Sequence, residues 1–338
     1  MLVAGSQYLP QRIIKDNIKK IHLRFIQKPQ EKRMILEDYL KKDRSFSLIL
    51  ERCKNLIFRN ITKNSLQLFL RGKDTISISP QTYGVHEPGL TTLISSIAKN
   101  GASDFLIDIG ANIGLTSCQN GNDFNYVFCF EPNPLCCQIL RVNTEISLDT
   151  SKVQIYEFGL GETDETLKLM IPKYNWGGAF VVSSSNSYSD DILASKDGFH
   201  EIQSENYITK EVKIKSTEKV LREVFTSIGT DKCGIIKIDV EGMELTVLKG
   251  VAASLPPNIK TIIVFENWDK NFDFEKLAKY FSSRSVKILK FEEKLPYKKS
   301  WPKFIKGVLL LFGNSTSRMV VDIADCSDKI GDIIIDVK

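Results

Sequence analysis

The chain has 338 residues, 42% of them hydrophobic and 26% charged, with a formal net charge of +5. That much apolar material excludes intrinsic disorder, and the length excludes a disulfide-built miniprotein. No run approaches the ~20 apolar residues that a membrane-spanning helix needs; the best candidate, Gly307 to Gly313, is far too short. Seven cysteines, an odd number with no C-x-x-C pair, fit reduced thiols in a cytosolic protein rather than a disulfide framework or a zinc site. Met1 to Gly5 is only a brief apolar stretch before polar residues, which is not a secretory pattern.

Charge is uneven. Residues 1–73 carry 17 Lys and Arg against 6 Asp and Glu, and the remainder carries 29 against 35. A basic arm on a mildly acidic body suits contact with phosphates, anionic lipid or an acidic sugar polymer, and equally describes a solvated helical face. Residues 11–55 read as helical, with Ile13, Ile14, Ile18, Ile21, Leu23 and Phe25 spaced as in an amphipathic helix and Pro29 breaking the run. From Leu56 to Ser79 the pattern turns to short β-type stretches at 56–58, 66–70 and 75–78, punctuated by Asn64-Ser65 and Gly72. Residues 1–75 are therefore read as a basic N-terminal extension, and 76–338 as the main domain.

Leu90 to Lys99 predicts a helix leading into that domain. Strand, turn and helix then alternate. Strands are expected at Phe105–Asp108, Tyr126–Phe130, Val153–Phe158, Gly234–Val240 and Thr261–Phe265. Helices are expected at Leu135–Glu145, from Glu244 towards Lys249, and at Phe274–Ser283 with Asp273 as its cap. Near-continuous apolar strands between helices indicate an α/β fold, a doubly wound, mostly parallel sheet. The end of the chain (286–289, 308–312, 319–323, 333–337) is strand-rich without helices and predicts antiparallel strands closing one edge. A polar insertion near 172–209, with Trp176-Gly177-Gly178 and a serine-rich run from Ser183 to Ser189, reads as either a substrate-facing loop or a mobile one.

Asp108-Ile-Gly-Ala-Asn-Ile-Gly114 follows the first strand and opens a helix. Glycines there let the backbone approach a ligand, and a helix N-terminus offers amide groups to an anion. The dinucleotide fingerprint G-x-G-x-x-G, started at Gly110, meets Asn112 and Leu115 instead of glycine, and the Walker pattern is absent. Glu131, ending the second strand before Pro132, is placed to accept hydrogen bonds from both hydroxyls of an unmodified ribose. S-adenosylmethionine has the matching shape: a nucleoside with a small carboxylate-bearing group.

These residues resemble the FkbM family of S-adenosylmethionine-dependent methyltransferases over roughly residues 85–290. The resemblance rests on Asp108–Gly114, Phe130-Glu-Pro-Asn-Pro134, Gly159-Leu-Gly161, Lys237-Ile-Asp-Val-Glu-Gly-Met-Glu244 with Val247-Leu-Lys-Gly250, and Phe265-Glu266. It implies a Rossmann-like class I methyltransferase fold and methylation of hydroxyls, commonly of sugars in glycans or natural products. It further implies that Asp108, Gly110, Asn112 and Gly114 line the methionine end of the cofactor, that Glu131 with neighbouring Asn133 takes the ribose, and that the segment Phe158 to Glu162, with Gly161 and Glu162, borders the adenine.

A sugar hydroxyl is a weak nucleophile at neutral pH, so a general base helps. The candidates are His86, Asp239, Glu241 and Glu266; His86 has the best ordinary pKa, and Asp239 either orients the acceptor or holds the cofactor amino group. Asp239 and Glu241 also carry oxygens suited to Mg²⁺, but nothing else fixes a coordination sphere, so metal is not favoured. Two other readings stand beside this one: an NAD-dependent sugar oxidoreductase, which Glu131 alone permits, and a silent cofactor-binding scaffold. Nucleic acid is not an expected partner, because a basic groove interleaved with aromatics is missing. The expected acceptor is a saccharide or lipid-linked saccharide, in the cytoplasm, with the basic arm as a contact to the inner membrane surface.

Overall fold

A computed structural model of the chain describes residues 67–189, 192–193, 202–294 and 317–338, together with 50, 52–53 and 56. Leu50, Arg52 and Cys53 are helical, and so is Leu56, where the sequence suggests a strand. The rest of residues 1–66 and the strand expected at 308–312 lie outside the described residues. Residues 66–338 form one compact unit, so the boundary expected at 75 falls inside it. No helix among the described residues is long and apolar enough to cross a membrane.

The core is an eight-stranded sheet. Its strands are β1 (Phe105–Ile109), β2 (Tyr126–Phe130), β3 (Val153–Tyr156), β8 (Cys233–Ile238), β9 (Lys260–Asn267), β10 (Val286–Lys294), β11 (Ser317–Asp322) and β12 (Gly331–Val337), and their spatial order is β3-β2-β1-β8-β9-β12-β10-β11. Pairing is parallel from β3 to β9; β12 runs antiparallel between β9 and β10. This is the Rossmann-like class I methyltransferase arrangement expected above, with β11 added at the edge.

Helices cover both faces, as the strand pattern requires. On one face lie α2 (Pro88–Lys99), α3 (Leu115–Asn120) and α4 (Pro134–Ser147); on the other lie α5 (Thr217–Ile228), α6 (Glu244–Ser254) and α7 (Phe274–Tyr280). Alternation within β1 divides its side chains: Phe105, Ile107 and Ile109 pack with Leu221, Phe225 and Val247 of α5 and α6, while Leu106 packs with Leu90, Ile94 and Leu140 of α2 and α4. Asp108 shares the face of Leu106, which directs it to Ser117 on α3. Asp273 caps α7 by accepting from the Lys276 amide, as its position predicted.

Three expectations fail. Residues 75–78, read as a strand, open a helix, α1 (Thr75–Tyr83), because the buried Asp74 carboxylate accepts from the Trp176 amide and the Thr75 amide donates to Tyr174 O, anchoring its first turn. Residues 67–70 form no strand: Leu68 and Leu70 pack near Ile113 and Cys136, and Asn143 of α4 takes the Phe69 amide that a strand partner would take. The region 172–209 is not one loop. β4 (Gly159–Gly161), β5 (Glu165–Pro172), β6 (Phe180–Val182) and β7 (Tyr207–Ser216) build a second sheet, ordered β4-β7-β5-β6, around Leu169, Ile171, Val212 and Ile214.

Candidate active site

A cavity of about 240 Å³ sits where the carboxyl ends of β1, β2 and β8 meet the second sheet. Such an edge is where open α/β sheets bind ligands. Its floor is Ile109-Gly110-Ala111-Asn112, Phe130-Glu131-Pro132 and Asp239-Val240-Glu241; Leu160, Leu169, Phe180 and Ile214 give one wall, and Ile76 with Trp176-Gly177-Gly178 another. His86, Glu87, Lys237, Met243 and Glu266 complete it. Of the residues singled out in the sequence, Gly110, Asn112, Glu131, His86, Asp239, Glu241 and Glu266 come together here.

The glycine turn is shaped by packing first. A Cβ on Gly110 would lie 1.9 Å from the Asp239 carbonyl oxygen, so glycine is what lets β1 and β8 approach at the floor. The Gly110 and Ala111 amides donate to Phe130 O, and the Asn112 amide donates to Glu131 Oε2 at 2.8 Å. These three N–H groups therefore serve the turn itself rather than an anion. Glu131 is the hub: its Oε1 accepts from the Asn133 amide at 2.7 Å. Burial pushes its carboxyl up to about 7 against those two donors, with Asp108 and Asp239 adding to the rise.

Five residues expected to touch the cofactor lie elsewhere. Asp108 is fully buried beneath the floor, its Oδ2 accepting from Ser117 at 2.6 Å. Gly114 makes room for Leu140, since its Cβ would fall 2.7 Å from that side chain. Asn133 caps α4 by accepting from the Leu135 amide and is fully buried. Gly161 lies in β4 against Ile214, and Glu162 is exposed and paired with Lys249 at 2.7 Å. Of the segment 158–162, Gly159 and Leu160 do line the cavity.

Lys237 is the residue that sequence reasoning quoted in a motif and did not place in the site. Its Nζ donates to Asp239 Oδ2 at 2.8 Å and lies 3.9 Å from Asp108 Oδ1. Burial alone would lower its ammonium, but Asp239 and Asp108 outweigh that and hold it above its ordinary range. The signal was available: a lysine inside an otherwise apolar strand is rarely buried without a charge partner. His86 departs from expectation in the other direction. Burial and then Lys237 push its imidazole down to about 4, opposed in part by Asp239, so the ring is neutral and weakly basic. Among the described residues no cluster of three or more His, Cys, Asp or Glu is placed to hold a metal ion.

The methyltransferase FkbM domain family matches residues 108–293, which runs from the glycine turn to β10 and covers more than half of the chain. The chain belongs to the FkbM methyltransferase family. Among curated proteins, this FkbM chain is similar to methyltransferase sdnD of Sordaria araneosa, 28% identical over 183 residues that cover 51% of this chain and 70% of that protein. It is also similar to the hexuronic acid methyltransferase AglP of Haloferax volcanii, 30% identical over 152 residues, 45% of this chain and 52% of the relative. Among solved structures, methyltransferase FkbM from Methylobacillus flagellatus KT aligns over 56% of this chain and 40% of its own length, with 16% identity and a TM-score of 0.33.

Proposed function

We propose that this FkbM-family methyltransferase uses S-adenosylmethionine to methylate a hydroxyl, and that the acceptor is a sugar of a glycan or glycoconjugate, free or lipid-linked. The observation that carries the reading is the shared cavity: Glu131 at one end and Asp239, Glu241 and Glu266 at the other line one space. The donor set fits an adenosyl group. A carboxylate with unused lone pairs meets ribose hydroxyls, and Pro132, Leu160 and Ile214 offer apolar surface to a purine. The name of the Haloferax volcanii relative supports a sugar acceptor.

Bound S-adenosylmethionine supplies an already electrophilic methyl carbon. The chain's own part is alignment, which is worth up to ~7–11 kcal/mol, and removal of the hydroxyl proton, worth ~10²–10⁴-fold. Asp239, held by Lys237, orients the acceptor oxygen and takes up its proton, while His86 stays a neutral hydrogen-bonding wall. Calorimetry with S-adenosylhomocysteine and with NAD⁺ tests the cofactor; heat from the nicotinamide nucleotide alone would reject the reading. Transfer of labelled methyl to a panel of hexose and hexuronic acid oligosaccharides tests the acceptor.

A further inference from the structure

The insertion between β6 and β7 does more than follow the second sheet; its segment Ser183–Tyr188 grips the turn that carries Glu241. Asn186 Nδ2 donates to Glu241 O at 2.9 Å and to Val181 O at 3.2 Å, and its Oδ1 accepts from the Tyr188 amide at 2.9 Å. The next carbonyl, Gly242 O, accepts from both the amide and the hydroxyl of Ser187, at 2.8 and 3.0 Å. Two consecutive carbonyls of one turn are thus satisfied from a segment more than fifty residues away.

The grip is shape-specific. Gly242 has φ +82°, and a Cβ there would lie 1.8 Å from Asn186 Oδ1. Tyr188 extends it to a third loop. Its buried hydroxyl donates to Glu244 Oε1 at 3.1 Å, the same oxygen that accepts from the Gly242 amide at 3.2 Å, and it accepts from the Trp268 amide, two residues beyond Glu266. Asn186, Ser187 and Tyr188 therefore join the insertion, the turn after β8 and the end of β9. Glu241 and Glu266, which line the cavity, are carried on the second and third of these. Among the described residues, the side-chain hydrogen bonds of Asn186 and Ser187 run to Val181, Glu241, Tyr188 and Gly242 and not to Gly110 or Glu131.

We infer that Asn186 and Tyr188 are positioning residues that fix the acceptor end of the cavity, leaving the cofactor end independent of them. This rests on the transfer reading above, and the experiment separates the two. Asn186→Ala and Tyr188→Phe are each compared with the wild type by hydrogen exchange, by calorimetry with S-adenosylhomocysteine, and by transfer to the oligosaccharide panel. Exchange at Gly242–Glu244 is expected to rise about tenfold, with exchange at 110–112 and the S-adenosylhomocysteine Kd within about twofold. In transfer, kcat/KM for the acceptor is expected to fall ~10–100-fold while KM for S-adenosylmethionine holds. Unchanged exchange at the turn, or equal loss at both ends, overturns the inference. Should Asn186→Ala fail to fold, Tyr188→Phe, which removes one oxygen, decides it. A wild type that transfers to no sugar rejects the proposed acceptor, while the exchange and calorimetry still decide the latch.

Discussion

The two ends of the cavity are built on opposite principles. At the glycine turn backbone donors dominate: four amides converge on the Phe130 carbonyl and the Glu131 carboxylate, linking the end of β1, the end of β2 and the start of α4. At the other end side chains dominate, with Lys237 between Asp108 and Asp239, Glu241 on the turn after β8 and Glu266 near the end of β9. The glycine turn is limited by space at Gly110 and by one buried carboxylate, whereas in the charge cluster each buried charge depends on its neighbours.

That contrast can be broken or sharpened. The largest effect is expected from Asp239→Ala: transfer falls by ~10³-fold or more, while circular dichroism and the cofactor Kd stay near wild type. Full activity would remove Asp239 from the chemistry. Lys237→Met, by stranding Asp108 under the floor, is expected to cost ~3–5 kcal/mol in denaturant unfolding, the loss expected when one partner of a buried pair is removed. Glu131→Gln is expected to weaken S-adenosylhomocysteine ~10–100-fold in calorimetry, the value of charge-assisted hydrogen bonds to two hydroxyls.

The proton on Glu131 gives a pH signature. Because ribose hydroxyls donate to a carboxylate, S-adenosylhomocysteine affinity should weaken as pH drops below about 7, where Glu131 is pushed in the ligand-free chain. Stability runs the other way. The folded value lies above the ordinary 4.5, so the contribution of Glu131 to stability is complete below pH 4.5 and is lost as pH climbs towards 7. Urea titrations of wild type and Glu131→Gln across that window would show it as a difference that disappears in the variant. The smallest effect is expected from Asn133→Ala, about 1 kcal/mol for a lost helix cap, read as a shift in Tm.

The central sheet was legible because its strands are near-continuous apolar runs and its helices carry caps such as Asp273. The second sheet was not read, although Tyr207–Ser216 alternates buried Val212, Ile214 and Ser216 with exposed lysines, the period of a half-buried strand. Thr75-Ile-Ser-Ile78 carried the opposite error, since β-branched alternation outweighed an anchor, Trp176, a hundred residues distant. Glu131, Asp239 and Glu241, expected from their place at or just past strand ends, line one cavity in the structure. Asp108, Gly114 and Asn133, from the same motifs, do not line it, because a motif holds scaffold positions alongside cavity-facing ones. Only the packing separates a glycine that admits a ligand from one that admits Leu140.

The thiols behind the cavity have a practical use. Cys118, Cys129, Cys136 and Cys137 are buried, and burial pushes the Cys118 and Cys137 thiols up to about 12 and raises the other two as well. None presents a thiolate to a reagent in the closed fold. Alkylation of these four sulfurs is thus a clock on opening of the region that supports Glu131 and Asp108, and its slowing by an added nucleoside would measure how far that nucleoside fastens the floor.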